Sequence, residues 1–173
     1  YKATNKSYSI SNNDITSIYE DSRGDLWIGT FNGGLNKLSN SQKFAAVDEA
    51  KFSRVKTDYK TIMSIVEGNE GDIWLGTLGN GLVRYDPATN LVLNFKHNPL
   101  EENTLPDNDV IALEKDKSGI LWLGTSLGRG ITQLQVNRKK FNHVTHYPGD
   151  KNSLSDNVVW SIAEDKDGYI WLG

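Results

Sequence analysis

Four eight-residue runs, DITSIYED from Asp14, TIMSIVEG from Thr61, DVIALEKD from Asp109 and VVWSIAED from Val158, share one pattern of apolar and polar positions. Each is apolar at positions that face opposite ways: Ile15 and Ile18, Ile62 and Ile65, Val110 and Leu113, Val159 and Ile162. Strand side chains alternate between faces, so these runs predict short strands packed on both sides. Each is followed by a turn glycine (Gly24, Gly71, Gly119, Gly168) and a second strand-forming run, LWIGT in the first case. A glycine-rich loop then precedes a third run, GLNKL, GLVRY or GITQL, and a further turn leads to a fourth, KFSRV, LVLNFKH or KKFNHVTHY. Each unit thus predicts a four-stranded antiparallel meander, and no helix-period pattern competes with it.

The repeat is regular. Trp27, Trp74, Trp122 and Trp171 stand 47, 48 and 49 residues apart, which divides the chain into repeats over 10–57, 58–104, 105–153 and a shortened 154–173. One such sheet cannot hide both of its faces, and radial packing of four-stranded sheets is the β-propeller solution. The fold class is therefore all-β, with residues 1–173 forming an incomplete part of one propeller domain of about three and a half repeats. The recurring tryptophans are expected to pack between neighbouring blades, since burial of a large aromatic accounts for them without a ligand.

Composition narrows the functions. The 19 basic and 22 acidic residues give a net charge of -3 with no basic run, which argues against nucleic acid as a partner. The chain contains no cysteine, so disulfide and thiolate-metal chemistry are excluded. Tyr1 is not a start methionine and Gly173 falls inside a motif, so an excerpt of a longer chain is expected.

ISNNDITSIYEDSRGDLWIGTFNGGLNKL from Ile10, LPDNDVIALEKDKSGILWLGTSLGRGITQL from Leu105 and LSDNVVWSIAEDKDGYIWLG from Leu154 resemble the two-component regulator propeller repeat. The second unit departs from the pattern, with Lys60 in place of the asparagine and Gly68 in place of the aspartate before the turn. The third has one extra residue after Thr125. The resemblance implies a sensor region on the periplasmic face of a bacterial inner membrane, joined elsewhere in the parent to a histidine kinase or diguanylate cyclase module. It further implies an oligosaccharide as signal and a homodimer through the complete receptor.

The strand order places the entries into the first strands and the loops between second and third strands on one face. Asn13, Asp14, Phe31, Asn32, Asn108, Asp109, Arg129, Asn157 and Trp160 fall there. Aromatic rings flanked by amide, carboxylate and guanidinium groups suit a polar, ring-shaped ligand such as a sugar. Asn13, Asn108 and Asn157 have an alternative role as turn caps, Trp160 as core filling and Arg129 as a solvated side chain. His97, His143 and His146 lie on or beside outer strands, and Glu20, Glu67 and Glu164 recur at one strand end, where they read as ladder edges. No catalytic set, metal site or cofactor is expected from these residues. A scaffold for protein partners and a glycan-cleaving enzyme are the competing functions, since one fold hosts all three.

Overall fold

In the computed structural model, residues 1–43, 45, 49–101, 103–136 and 140–173 are described. The meander predicted for each unit is present. The first sheet runs β1 (Ile15–Glu20), β2 (Leu26–Thr30), β3 (Gly34–Leu38), β4 (Ser53–Arg54), and the second β5 (Ile62–Glu67), β6 (Ile73–Thr77), β7 (Leu82–Tyr85), β8 (Val92–Phe95). The third comprises β9 (Val110–Lys115), β10 (Leu121–Thr125), β11 (Ile131–Gln135) and β12 (Lys140–Val144), and a two-stranded sheet of β13 (Ile162–Glu164) and β14 (Ile170–Leu172) follows. Neighbouring strands are antiparallel throughout. The fourth strand of the first unit is shorter than KFSRV suggests, with only Ser53 and Arg54 paired.

The first strands of successive sheets lie side by side, β5 between β1 and β9, and β13 against β9. The sheets therefore pack face to face around a common axis as blades of an open propeller. Glycine in the second strand makes this approach possible. A Cβ on Gly29, Gly76 or Gly124 would stand 3.0, 2.7 or 2.6 Å from a carbonyl oxygen of the next blade's first strand or its entry, that of Ile62, Val110 or Val159. Any larger residue would push the neighbouring blade away.

The tryptophans fill the space between blades. Trp27 packs with Ile62, Ile65, Leu75 and Tyr85 of the second blade, and Trp74 with Leu113, Leu121, Leu123 and Phe141 of the third. Trp122 is half-buried, and Trp171, in the two-stranded last sheet, is 65% exposed. One expectation is corrected: Ile62, Ile65, Val110 and Leu113 are buried, but Ile15 and Ile18 on β1, which among the first strands packs against β5 alone, are 41% and 66% exposed.

A carboxylate anchors each indole in three of the four units. Asp21 Oδ2 accepts Trp27 Nε1–H at 2.8 Å, Asp116 that of Trp122 at 2.8 Å and Asp165 that of Trp171 at 2.7 Å. The other oxygen of each accepts two backbone N–H groups of the hairpin turn. The turn glycines Gly24, Gly71, Gly119 and Gly168 have φ from +76° to +86°, as such hairpins require. DKDG from Asp165 is thus a hairpin turn.

Glu67 and Glu164 close the ends of their ladders, opposite Ile73 and Ile170, and their side chains also latch one blade to the next. Glu67 accepts the backbone N–H and hydroxyl of Ser22 at 2.8 and 2.7 Å, and Glu164 accepts the Lys117 N–H at 3.0 Å. In the third blade Lys115 takes this position and donates to the Gly68 carbonyl at 3.1 Å. Glu20 pairs with Lys43 at 2.7 Å.

Each complete blade also carries a bulge near the start of its first strand, at Thr16, Met63 and Ile111, where the register with the second strand slips by one residue. At the corresponding place in the fourth unit, the Trp160 and Ser161 N–H groups both donate to the Gly173 carbonyl, at 2.7 and 3.0 Å. A bulge frees one side chain per blade from the alternation of the ladder and re-aims it.

Candidate ligand face

The face opposite the hairpin turns is stitched together by backbone. Gly34, Gly81 and Gly130, each at φ +77°, donate across the blade junction to the carbonyls of Lys60, Asn108 and Asn157, each at 2.7 Å. Within each blade, Phe31, Leu78 and Ser126 donate to the carbonyls of Asp14, Thr61 and Asp109 at 2.9, 3.3 and 3.1 Å. The loops between second and third strands are thereby held against the entries into both adjacent first strands. A preformed rim of this kind spends little order on binding.

The predicted residues distribute over three junctions of this rim. Asn13, Asn108 and Asn157 each use Oδ1 to accept a backbone N–H, from Ala3 at 2.8 Å, His97 at 2.9 Å and His146 at 2.6 Å. They brace the connection arriving from an outer strand, and the Nδ2 donors are the part of each amide left for a ligand. His97 and His146 complete that brace, with Nδ1 2.6 Å from the carbonyls of Leu105 and Leu154.

Asn32 sits in left-handed backbone at φ +62°, its N–H donating to Thr61 Oγ1 at 3.2 Å, with Phe31 exposed beside it. Asp109 bridges two loops, accepting the Gly79 N–H at 2.6 Å and the Ser126 hydroxyl at 3.3 Å. Asp14 donates its backbone N–H to Asn12 Oδ1 at 2.9 Å, an Asx turn.

The loop of Arg129 meets Asn157 at the junction of the third and fourth units, with Trp160 further along the same strand entry. The loop carrying Arg129 packs on Asn157 and Val158 through Gly128, and Gly130 bonds the Asn157 carbonyl. Arg129 is exposed and makes no ion pair among the described residues. Trp160 is 68% exposed, in the same two-stranded unit as the exposed Trp171, whereas its counterpart Ile111 is buried. The extra residue in this loop has a further effect. Thr30 and Thr77 donate their hydroxyls to the carbonyls of Gly34 and Gly81 at 2.9 and 2.7 Å, whereas the buried Thr125 hydroxyl has no partner among the described residues.

Sequence reasoning passed over Leu78 and Leu127, which stand exposed in the loops equivalent to that of Phe31. Their position just beyond Gly-Thr was the available signal. Among the described residues no cluster of His, Asp or Glu has the geometry of a metal site, and no helix is long and apolar enough to cross a membrane.

The two-component regulator propeller family is matched at residues 9–32, 104–126 and 153–173. These three segments are thus similar to two-component regulator propeller repeats. The unit these matches skip is the second, where Lys60 and Gly68 replace the usual Asn and Asp. The chain is similar to the extracellular domain assigned to the hybrid two-component system BT3049 of B. thetaiotaomicron, at 28% identity and a TM-score of 0.72, covering 100% of this chain and 22% of that one. It is similar also to the extracellular domain of BT4673 from the same organism, at 25% identity and a TM-score of 0.73, covering 94% of this chain and 20% of that one. The repeats thus span about a fifth of each of these relatives. Virginiamycin B lyase from Staphylococcus aureus shares the fold alone, at 15% identity and a TM-score of 0.63 over 99% of this chain and 51% of its own. No curated protein matches the chain significantly.

Proposed function

We propose that these repeats form part of the ligand-reading region of a bacterial transmembrane receptor of the two-component type, and that they perform no chemistry themselves. The observation that carries this reading is the 25–28% identity, over nearly the whole chain, to extracellular domains of hybrid two-component systems. By the same analogy the region lies on the periplasmic side of the inner membrane, and the parent receptor is a homodimer with a histidine kinase or diguanylate cyclase output. The ligand is a polar ring-bearing molecule such as an oligosaccharide, held by Trp160, Arg129 and the free amide donors of Asn157 and its equivalents. Signalling follows if the ligand binds one arrangement of the receptor better than another.

The test is calorimetric titration of the complete ectodomain with a panel of oligosaccharides, each mixture being chromatographed afterwards. Saturable heat with the sugar recovered intact, lost in Arg129→Ala or Trp160→Ala while the melting temperature holds, is the expected result. Shortened sugar assigns a glycan-cleaving enzyme instead. Heat unchanged in both variants removes this face from the argument, and no heat with any sugar turns attention to a protein partner.

A further inference from the structure

On the opposite face, two blade junctions bring a turn aspartate and a latch glutamate to the same hairpin, Asp21 with Glu67 and Asp116 with Glu164. The junction of the second and third blades has Gly68 and Lys115 instead. Two carboxylates have been exchanged for bare backbone and an ammonium group. A cavity of about 120 Å³ opens there, lined by Gly68, Asp72, Trp74, Arg84, Lys115 and Leu121.

Two donors in this cavity are left short of acceptors. Trp74 is 1% exposed, and its Nε1–H, the counterpart of the three indoles held by aspartate, has no partner among the described residues. Lys115 Nζ bonds only the Gly68 carbonyl and has no carboxylate among the ion pairs of the described residues. The other charges are already engaged. Asp72 Oδ2 receives Arg84 Nε at 2.8 Å, and Arg84 Nη2 reaches Glu70 at 2.8 Å, whose side chain is 80% exposed and screened by solvent. The Asp72 carboxyl group lies 2.3 Å from where a Cβ on residue 68 would be, so it blocks the root of the missing side chain without reaching the indole.

We propose that this junction is a binding site for a small monoanion, a carboxylate or a halide, which accepts Trp74 Nε1–H and a Lys115 Nζ–H in the place where the other blades supply their own aspartate. The space suits a few-atom species, since a water claims about 30 Å³ of liquid volume. A resident water would satisfy the indole but leave the ammonium charge uncompensated, whereas an anion answers both.

The experiment follows the indole N–H resonances of the ¹⁵N-labelled chain, with Trp74 identified by its loss in Trp74→Phe. Sodium formate, acetate or chloride is titrated at constant ionic strength against a sulfonate buffer salt too bulky for the cavity. The Trp74 resonance alone among the five tryptophans shifts and saturates, and the ion that saturates it at the lowest concentration distinguishes carboxylate from halide. Lys115→Met, which keeps the apolar stem, weakens binding about tenfold, the value of one charge-assisted bond. A resonance that does not move, or that moves linearly with salt, means that the cavity holds water only, and one that titrates unchanged in Lys115→Met means that the ammonium group does not hold the anion; each overturns the proposal.

Discussion

Gly76→Ala tests why the second strand of each blade carries glycine. The added Cβ would stand 2.3 Å from Ser64 Oγ, 2.7 Å from the Val110 carbonyl oxygen and 3.1 Å from Val110 Cγ1. The hydroxyl can rotate away, but the carbonyl belongs to β9, whose position is fixed by its ladder with β10. Bringing 2.7 Å to an ordinary contact of 3.4 Å parts the two blades by about 0.7 Å. A gap of that size forfeits roughly a quarter to a half of the dispersion attraction across it. It runs through the cluster of Val66, Trp74, Leu82, Val110, Leu113 and Leu123. Overpacking of this kind costs about 1–3 kcal/mol. With a urea dependence of about 2 kcal/mol/M, the unfolding midpoint falls by about 0.5–1.5 M, read by tryptophan fluorescence. Ser64→Ala removes the nearer contact, so the pair Ser64→Ala with Gly76→Ala separates the causes. A parental midpoint in Gly76→Ala, or full recovery in the pair, would refute the assignment of this glycine to the neighbouring backbone.

Three further outcomes are expected. Asp116→Ala leaves Trp122 Nε1–H and the Ser118 and Ile120 N–H groups without their acceptor, costing about 1–3 kcal/mol in a urea titration together with a change in indole emission. Burial alone would raise the Asp25 carboxyl, but Lys37 at 2.6 Å and the Asn40 N–H hold it below its unfolded value of 3.8. Its stabilising contribution is therefore complete above that value and lost as pH falls through the folded one, and Asp25→Asn flattens the acid limb of the stability curve. Glu114 is shifted the other way, upward from 4.5, first by burial and then by the charge of Glu164. The folded chain binds the extra proton, so stability falls as pH rises through the folded value; Glu114→Gln removes that decline and raises the melting temperature at neutral pH.

The meander of each blade was legible because its residues serve one purpose at a time. Ile62, Ile65, Val110 and Leu113 face opposite ways in short runs, Gly24, Gly71, Gly119 and Gly168 end the hairpins, and tryptophan returns with the blade period. The latches were not legible. Glu67 and Glu164 look like strand-end glutamates until the blades are packed, since their acceptors serve a hairpin about 45 residues earlier. Of the candidate face, the loops were placed by strand order alone, yet two things escaped it. The amide oxygens of Asn13, Asn108 and Asn157 brace backbone, which a turn-capping tendency suggests but cannot locate, and the side chains at Thr16, Met63, Ile111 and Trp160 stand at or opposite a slip in register that leaves no mark in composition.

That slip separates what the architecture demands from what the surface displays. A residue at the slip has no partner in the ladder, and threonine, methionine and isoleucine occupy it in one chain, although Thr16 still donates its hydroxyl to the Ile62 carbonyl of the next blade and Ile111 is buried. At Met63, which is only partly buried, the side chain can therefore change with less risk to folding than within the ladder. An experimenter can do likewise, randomising Met63 and the exposed Trp160 as a compact library while the scaffold stays constant.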